Sequence, residues 1–319
     1  MLSKNYTNIF ILLLYLSLLF GIYSGEDLIG GAFNDYKGHF YISEKFRSEF
    51  LNTLLSYNQL GHRHSPIFYI LRSFISEIEI IQRLFFLHLY LLIPVFFYLC
   101  LKIKYKEINN NNLKLLASVL LLFPAFRSYS IWPAPHLLGI LFLTISIYFF
   151  LIFKYINSSI KNTLTSSFFL ALSAYASPNF GVFIIYFFYE YFKFFKFTKK
   201  IFILSIFNLL LSLPFFYYIF ILKINFIFNE YGWDIGSNVF SLNNVSNKLI
   251  LISSIFLFYI LPLLNIKNLY KESNSFLKFN LYKYNFFIIF FISCYLFDFS
   301  YSYSLTNSGG GIFYNISNF

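Results

Sequence analysis

Two carboxylates, Asp27 and Asp35, and an imidazole, His39, fall within thirteen residues of one another, just after an apolar run. A carboxylate beside an imidazole can act as a general base with its orienting partner. Asp35 and His39 are four apart, so they share a face if the segment is helical. Gly30, Gly31 and Gly38 surround Asp35 and permit tight backbone turns. Basic groups follow in Lys37 and in Gly61-His62-Arg63-His64. Two histidines at this spacing are a weak metal signal, and the basic run suits a phosphate better. The plain alternative is a solvated loop whose charges only keep it wet.

These residues lie in one stretch, 25–83, which carries seven of the thirteen acidic residues and three of the five histidines. Loops of this length are usually functional or disordered, and apolar periodicity here argues for order. Phe46, Phe50, Leu54 and Tyr57 recur at helical intervals among Glu44, Lys45, Arg47, Glu49 and Asn52. That predicts an amphipathic helix at a membrane interface. Ser65-Pro66 reads as an N-cap followed by a first-turn proline, opening a second helix over 67–81.

The rest of the chain is largely hydrocarbon. It is 58% hydrophobic and only 12% charged, with a mean hydropathy of +0.66. A soluble domain carries about twice that charged fraction. Apolar stretches of membrane-helix character recur along the chain and predict an all-α polytopic membrane protein, one integral domain over 1–319. Nine spans fit: 8–23, 84–101, 115–126, 136–153, 163–177, 180–192, 201–222, 249–266 and 284–298. The 48 Phe and 28 Tyr read as packing and lipid-facing residues. Cys100 and Cys294 lie inside apolar runs without metal-ligand spacing. Only Lys4 precedes the first run and no small-x-small cleavage site follows it, so that run reads as a retained span.

The net charge of +11 points to membrane topology and not to nucleic acid, because the cations sit between apolar segments. With the N-terminus in the cytoplasm, inner segments hold fifteen Lys and Arg and the short outer loops three. This bias places the stretch 25–83 outside.

Taken together, the chain resembles the GT-C superfamily of membrane glycosyltransferases, including the protein O-mannosyltransferase-like and aminoarabinose transferase-like enzymes. The resemblance rests on an external loop after the first span, on Glu26-Asp27 at the span end, on His64-Ser65-Pro66-Ile67-Phe68-Tyr69, and on Arg127-Ser128-Tyr129-Ser130-Ile131-Trp132-Pro133. It covers about residues 1 to 200 and is more topological than motif-based. It implies transfer of a sugar from a polyprenyl-phosphate donor to a lipid, glycan or protein acceptor on the outer face, with inversion. It implies Asp35 or Asp27 as the base, with His39 beside it. Arg63, His64, Arg127 and Lys37 would meet the donor phosphate, and Trp233 and Asp234 would contact sugar or acceptor. Some members use a divalent cation, which Asp35 or Asp27 would hold. The expected setting is a bacterial inner membrane.

Two other classes compete. A surface-polysaccharide polymerase places its large loop in the second half of the chain, unlike this one. A transporter or flippase predicts ionisable residues in mid-span and inverted repeats; the spans carry almost none apart from His88, and no repeat is evident. The charge bias makes a direct prediction. In a Cys100→Ser/Cys294→Ser background, an impermeant thiol reagent added outside will modify Gly61→Cys and spare Ile108→Cys. The reverse pattern would overturn the topology.

Overall fold

A computed structural model describes residues 4–60 and 64–222, and among them every regular element is a helix. Arg63, Trp233, Asp234 and the expected spans 249–266 and 284–298 lie outside the described residues. Four helices are long and apolar enough to cross a membrane: Tyr6–Ser24, Glu79–Lys104, Pro135–Tyr155 and Lys199–Ile221. Asn110–Leu122 and Pro124–Ile131 make a fifth only if they act as one span, because they bend by 67° at Phe123. Pro124 causes the break: it has no N–H for the preceding turn and is suited to open a new helix. The expected spans 163–177 and 180–192 are helices Ile160–Ala176 and Phe183–Phe195, of 17 and 13 residues. The first is at the lower edge of the length a bilayer demands, and the second falls short of it.

In chain order the elements begin with α1 (Lys4–Ser24), α2 (Ala32–Ser48), α3 (Phe50–Leu55) and α4 (Ile67–Ser73). They continue with α5 (Glu79–Tyr90), α6 (Leu92–Lys104), α7 (Asn110–Ser118), α8 (Pro124–Ile131) and α9 (Pro135–Tyr155). The last three are α10 (Ile160–Ala176), α11 (Phe183–Phe195) and α12 (Lys199–Phe216). Proline punctuates them. Pro94 has no N–H for the Tyr90 carbonyl, and the α5–α6 helix loosens at Leu91. Pro214 sits in the last turns of α12, directly before a π-helical turn at Tyr217–Ile221.

The helix α9 is the axis of packing. Against α10 it meets small residues: Ser146 and Ser166 exchange hydrogen bonds with each other's carbonyls at 2.7 and 2.9 Å, and Ser173 donates to the Gly139 carbonyl at 2.7 Å. Small residues let membrane helices approach closely. A Cβ on Gly139 would stand 2.8 Å from the Phe180 ring and 3.0 Å from Ser177 Cβ, so glycine lets the turn after α10 close over α9. At the other end of α9, Phe150 stacks on Phe187 with centroids 4.5 Å apart, above a cluster with Phe153, Tyr191 and Phe195.

The stretch after α1 is not a detached loop. Tyr36, Phe46, Tyr57, Phe68 and Tyr69 share one buried core with Leu14, Leu18 and Ile22 of α1 and with Leu137, Leu138 and Leu141 of α9. This corrects half of the expected amphipathic stripe, for Phe50 is 37% exposed and Leu54 only partly buried, but the other two turn inward. Phe46 and Tyr57 are 1% and 0% exposed, so they face the protein interior and not lipid. The first loop helix also starts earlier, at Ala32, and breaks at Glu49. The second ends at Ser73, so 67–81 is not one helix.

Two junctions tie the helix ends together: the segment after α1 on the turn 132–134, and the turn before α4 on the last turn of α10. Trp132 Nε1 donates to the Glu26 carbonyl at 3.1 Å, and Ser65 Oγ donates to the Tyr175 carbonyl. The opposite end carries Lys104 on Tyr155 and Lys154 on Glu190, both at 2.7 Å.

Arg127 fixes the first of these junctions. Its Nε and Nη2 donate to the two Glu26 carboxylate oxygens at 2.6 and 2.7 Å, and its Nη1 donates to Ser17 Oγ at 2.9 Å. The paired side chains are only 12% and 18% exposed. Gly21 makes room, since a Cβ there would stand 2.7 Å from Glu26 Oε2. Breaking a largely buried pair strands the surviving charge. Arg127→Gln or Glu26→Gln will therefore lower stability in detergent by about 2–4 kcal/mol. The double variant will lose much less than the sum. Additive losses would show that the pair is not coupled.

Candidate functional site

The helix α1 ends at Ser24, and Gly25 follows at φ +67°, a left-handed turn that favours glycine. The chain then turns across α8, where Ser128 Oγ accepts from the N–H groups of Leu28 and Ile29 at 2.8 and 3.3 Å. Asp27 comes next. One of its oxygens accepts from the Gly30 N–H at 3.0 Å and the other from the Phe33 N–H at 3.1 Å. Phe33 lies in the first turn of α2, so Asp27 caps that helix and also favours its positive end. Gly30, at φ +74°, supplies the bend between them. Gly31 and Gly38 have no positive φ, and a Cβ at either would meet nothing. Of the three glycines, only Gly30 uses a conformation that favours glycine.

Asp35 sits exposed in the first turn of α2, and His39 lies one turn further on, buried. The expected helix therefore exists, but its two residues sit in different surroundings. His39 Nδ1 is 3.1 Å from the Tyr69 hydroxyl, and its ring packs against Phe68. Lys37 stands 4.0 Å over the Phe33 ring.

Three imidazoles then form a row. His39 and His64 have centroids 6.2 Å apart, and His64 and His136 5.1 Å. His136 ends the row, 5.9 Å from the Tyr129 ring and with Nδ1 3.5 Å from Ser177 Oγ. The Tyr129 phenol lies within the fields of both Asp35 and Asp27. The structure thus joins Asp27, Asp35, His39 and His64 into one neighbourhood of α2, the turn before α4, and the facing ends of α8 and α9. Lys37 borders it on α2. Arg127 belongs instead to the Glu26 pair described above. Its nitrogens already meet Glu26 and Ser17.

Tyr129, His136, Tyr69 and Ser177 are the members that sequence reasoning missed. The one available signal was Pro135-His136, a histidine beside the first-turn proline of a long helix whose start faces the loop. Arg72 was also missed. It is fully buried beneath the site, with Nε 2.7 Å from Gln82 Oε1 and its guanidinium 4.2 Å over the Tyr36 ring. Burial pushes the Tyr36 phenol up, and the neighbouring Arg72 partly offsets this.

Chemically, the neighbourhood offers an exposed carboxylate, a capped carboxylate, imidazoles that donate or accept protons, and phenol and hydroxyl donors. Among the described residues no group of three or more His, Cys, Asp or Glu is placed to hold a metal ion.

No protein-family model matches the chain, and neither curated proteins nor solved structures give a match.

Proposed function

We propose that this chain is a membrane glycosyltransferase of the GT-C type. It takes a sugar from a polyprenyl-phosphate donor and passes it, with inversion, to a lipid, glycan or protein acceptor. The observation that carries the reading is the meeting of Asp35, Asp27, Tyr129, His136, His64 and His39 at the end opposite Lys104 and Lys154. The positive-inside bias supports that end being outside and the N-terminus cytoplasmic, and the resemblance supports a bacterial inner membrane as the setting.

Asp35 serves as the general base. Both Asp27 oxygens accept backbone N–H groups, which hold it in the cap. Asp35 is exposed on the same helix turn, where an acceptor hydroxyl can reach it. As the hydroxyl attacks the anomeric carbon, Asp35 takes its proton, the bond to the phosphate oxygen breaks, and the lipid phosphate leaves. Donors must meet the charge that develops on that phosphate. His64, His136 and Lys37 border the carboxylates and suit this role; Arg63 is assigned to it on its sequence position alone. Arg127 is withdrawn from it by Glu26.

The test compares two isosteric changes. Asp35→Asn removes the proton acceptor and will lower turnover by about 10²–10⁴-fold with insertion intact. Asp27→Asn keeps an oxygen for the cap and will retain most turnover. If Asp27→Asn is inactive and Asp35→Asn is active, the base is Asp27. If both stay fully active, glycosyl transfer at these carboxylates is excluded.

A further inference from the structure

The helix α4 carries a buried cation without a carboxylate. Arg72 is 0% exposed, and a charged side chain is almost never fully buried unless it is paired. The other described arginines each pair with an acid: Arg47 with Glu44, Arg83 with Glu79 and Arg127 with Glu26. Arg72, buried more deeply than any of them, pairs with none among the described residues. The nearby acids are already taken. Glu44 acts on Arg72 only through its field and is held by Arg47. Glu79 acts on the adjoining Tyr36 phenol and is held by Arg83.

The donors of Arg72 are only partly answered. A guanidinium carries five N–H donors and no acceptor. Nε donates to Gln82 Oε1 at 2.7 Å, and Gln82 Nε2 donates to the Ser76 carbonyl at 2.8 Å, which fixes the amide with its oxygen toward Arg72. Nη1 donates to the Tyr36 carbonyl at a long 3.4 Å. The Tyr36 and Phe40 rings flank the guanidinium, with centroids 4.2 and 5.2 Å from its carbon. Nη2 meets no acceptor of ordinary geometry, and neither does the buried hydroxyl of Tyr36, although the two groups lie in each other's fields.

Two donors, one of them cationic, thus lie together in the interior and call for an acceptor. A water molecule answers them poorly. It must turn hydrogens of its own toward acceptors, and the Gln82 oxygen and the Tyr36 carbonyl are already engaged. A small anion accepts from both donors and also neutralises the guanidinium. A lipid-linked phosphate does not suit, because Arg72 and Tyr36 are 0% and 3% exposed.

We propose that Arg72 Nη2 and the Tyr36 hydroxyl bind a monatomic anion of the halide class, chloride in a cell, as the counter-ion of Arg72. The anion ties α4 to α2 beneath Tyr69 and His39, whose side chains meet one turn before Arg72. Its role is structural, and it stands whether or not the chain transfers sugar.

The test uses the full chain purified in detergent and sodium gluconate. Its thermal unfolding midpoint is followed as chloride, bromide or inorganic phosphate replaces gluconate at constant ionic strength. A ligand of the folded state raises stability by mass action, so chloride and bromide will raise the midpoint saturably and phosphate will not. Tyr36→Phe keeps the ring and removes one donor to the anion, so it will raise the half-saturating chloride concentration by about tenfold or more. Arg72→Met will abolish the response; if it does not fold, Tyr36→Phe decides. A wild-type midpoint indifferent to chloride would overturn the proposal, as would a chloride response that Tyr36→Phe leaves unchanged. Phosphate acting in place of chloride would assign the cluster to a larger anion and would also overturn it.

Discussion

Two arginines hold the end of the first helix, and the placement of the loop follows from that hold. Helix ends leave carbonyls without partners in their own helix, and buried ones must find them elsewhere. Arg83 donates to the carbonyls of Ile22 and Ile131 at 2.8 and 2.9 Å, joining the last turns of α1 and α8. Its guanidinium lies 3.8 Å over the Trp132 ring, and Trp132 in turn bonds the Glu26 carbonyl. Glu26 is then locked by Arg127. The next residue, Asp27, caps α2. The positions of Asp35 and His39 therefore descend, link by link, from cations that seat one helix end on another.

The same chain of contacts explains why the loop is built as core. Tyr36 and Phe33 pack on Trp132 with centroids 5.4 and 4.6 Å apart, so α2 rests on the ring that Arg83 supports. Tyr57 donates to the His64 carbonyl at 2.5 Å, and Tyr90 donates to the Ala134 carbonyl at 3.0 Å. Each bond fixes a turn that carries one imidazole of the row. A site assembled from several segments needs such support, because small displacements of the reacting groups cost rate steeply.

Several parts of this were legible in the sequence. The apolar runs of α1, α5–α6, α9 and α12 announce themselves by length and hydropathy, and Asp35 and His39 by their spacing in what is indeed a helix. The stripe of Phe46, Phe50, Leu54 and Tyr57 was legible as helical, but neither its break at Glu49 nor the inward turn of Phe46 and Tyr57 was. Periodicity marks an apolar face and does not say whether protein or lipid covers it. The break at Ser73 was hidden because Arg47, 26 residues away, satisfies the carbonyls that a continuous helix would have paired. Arg127 looked like a phosphate partner because its acid, Glu26, is 101 residues distant in sequence. His136 was missed for the same reason: its neighbours come from three separate segments. What escaped was long-range pairing, which no local pattern encodes.

The most direct measurement of the central claim is sugar release by the purified protein in liposomes, supplied with labelled polyprenyl-phosphate sugars and candidate acceptors. The account predicts acceptor-dependent loss of sugar from at least one such donor, with the anomeric configuration inverted in the product. Folded, inserted protein that consumes none of the donors would contradict it.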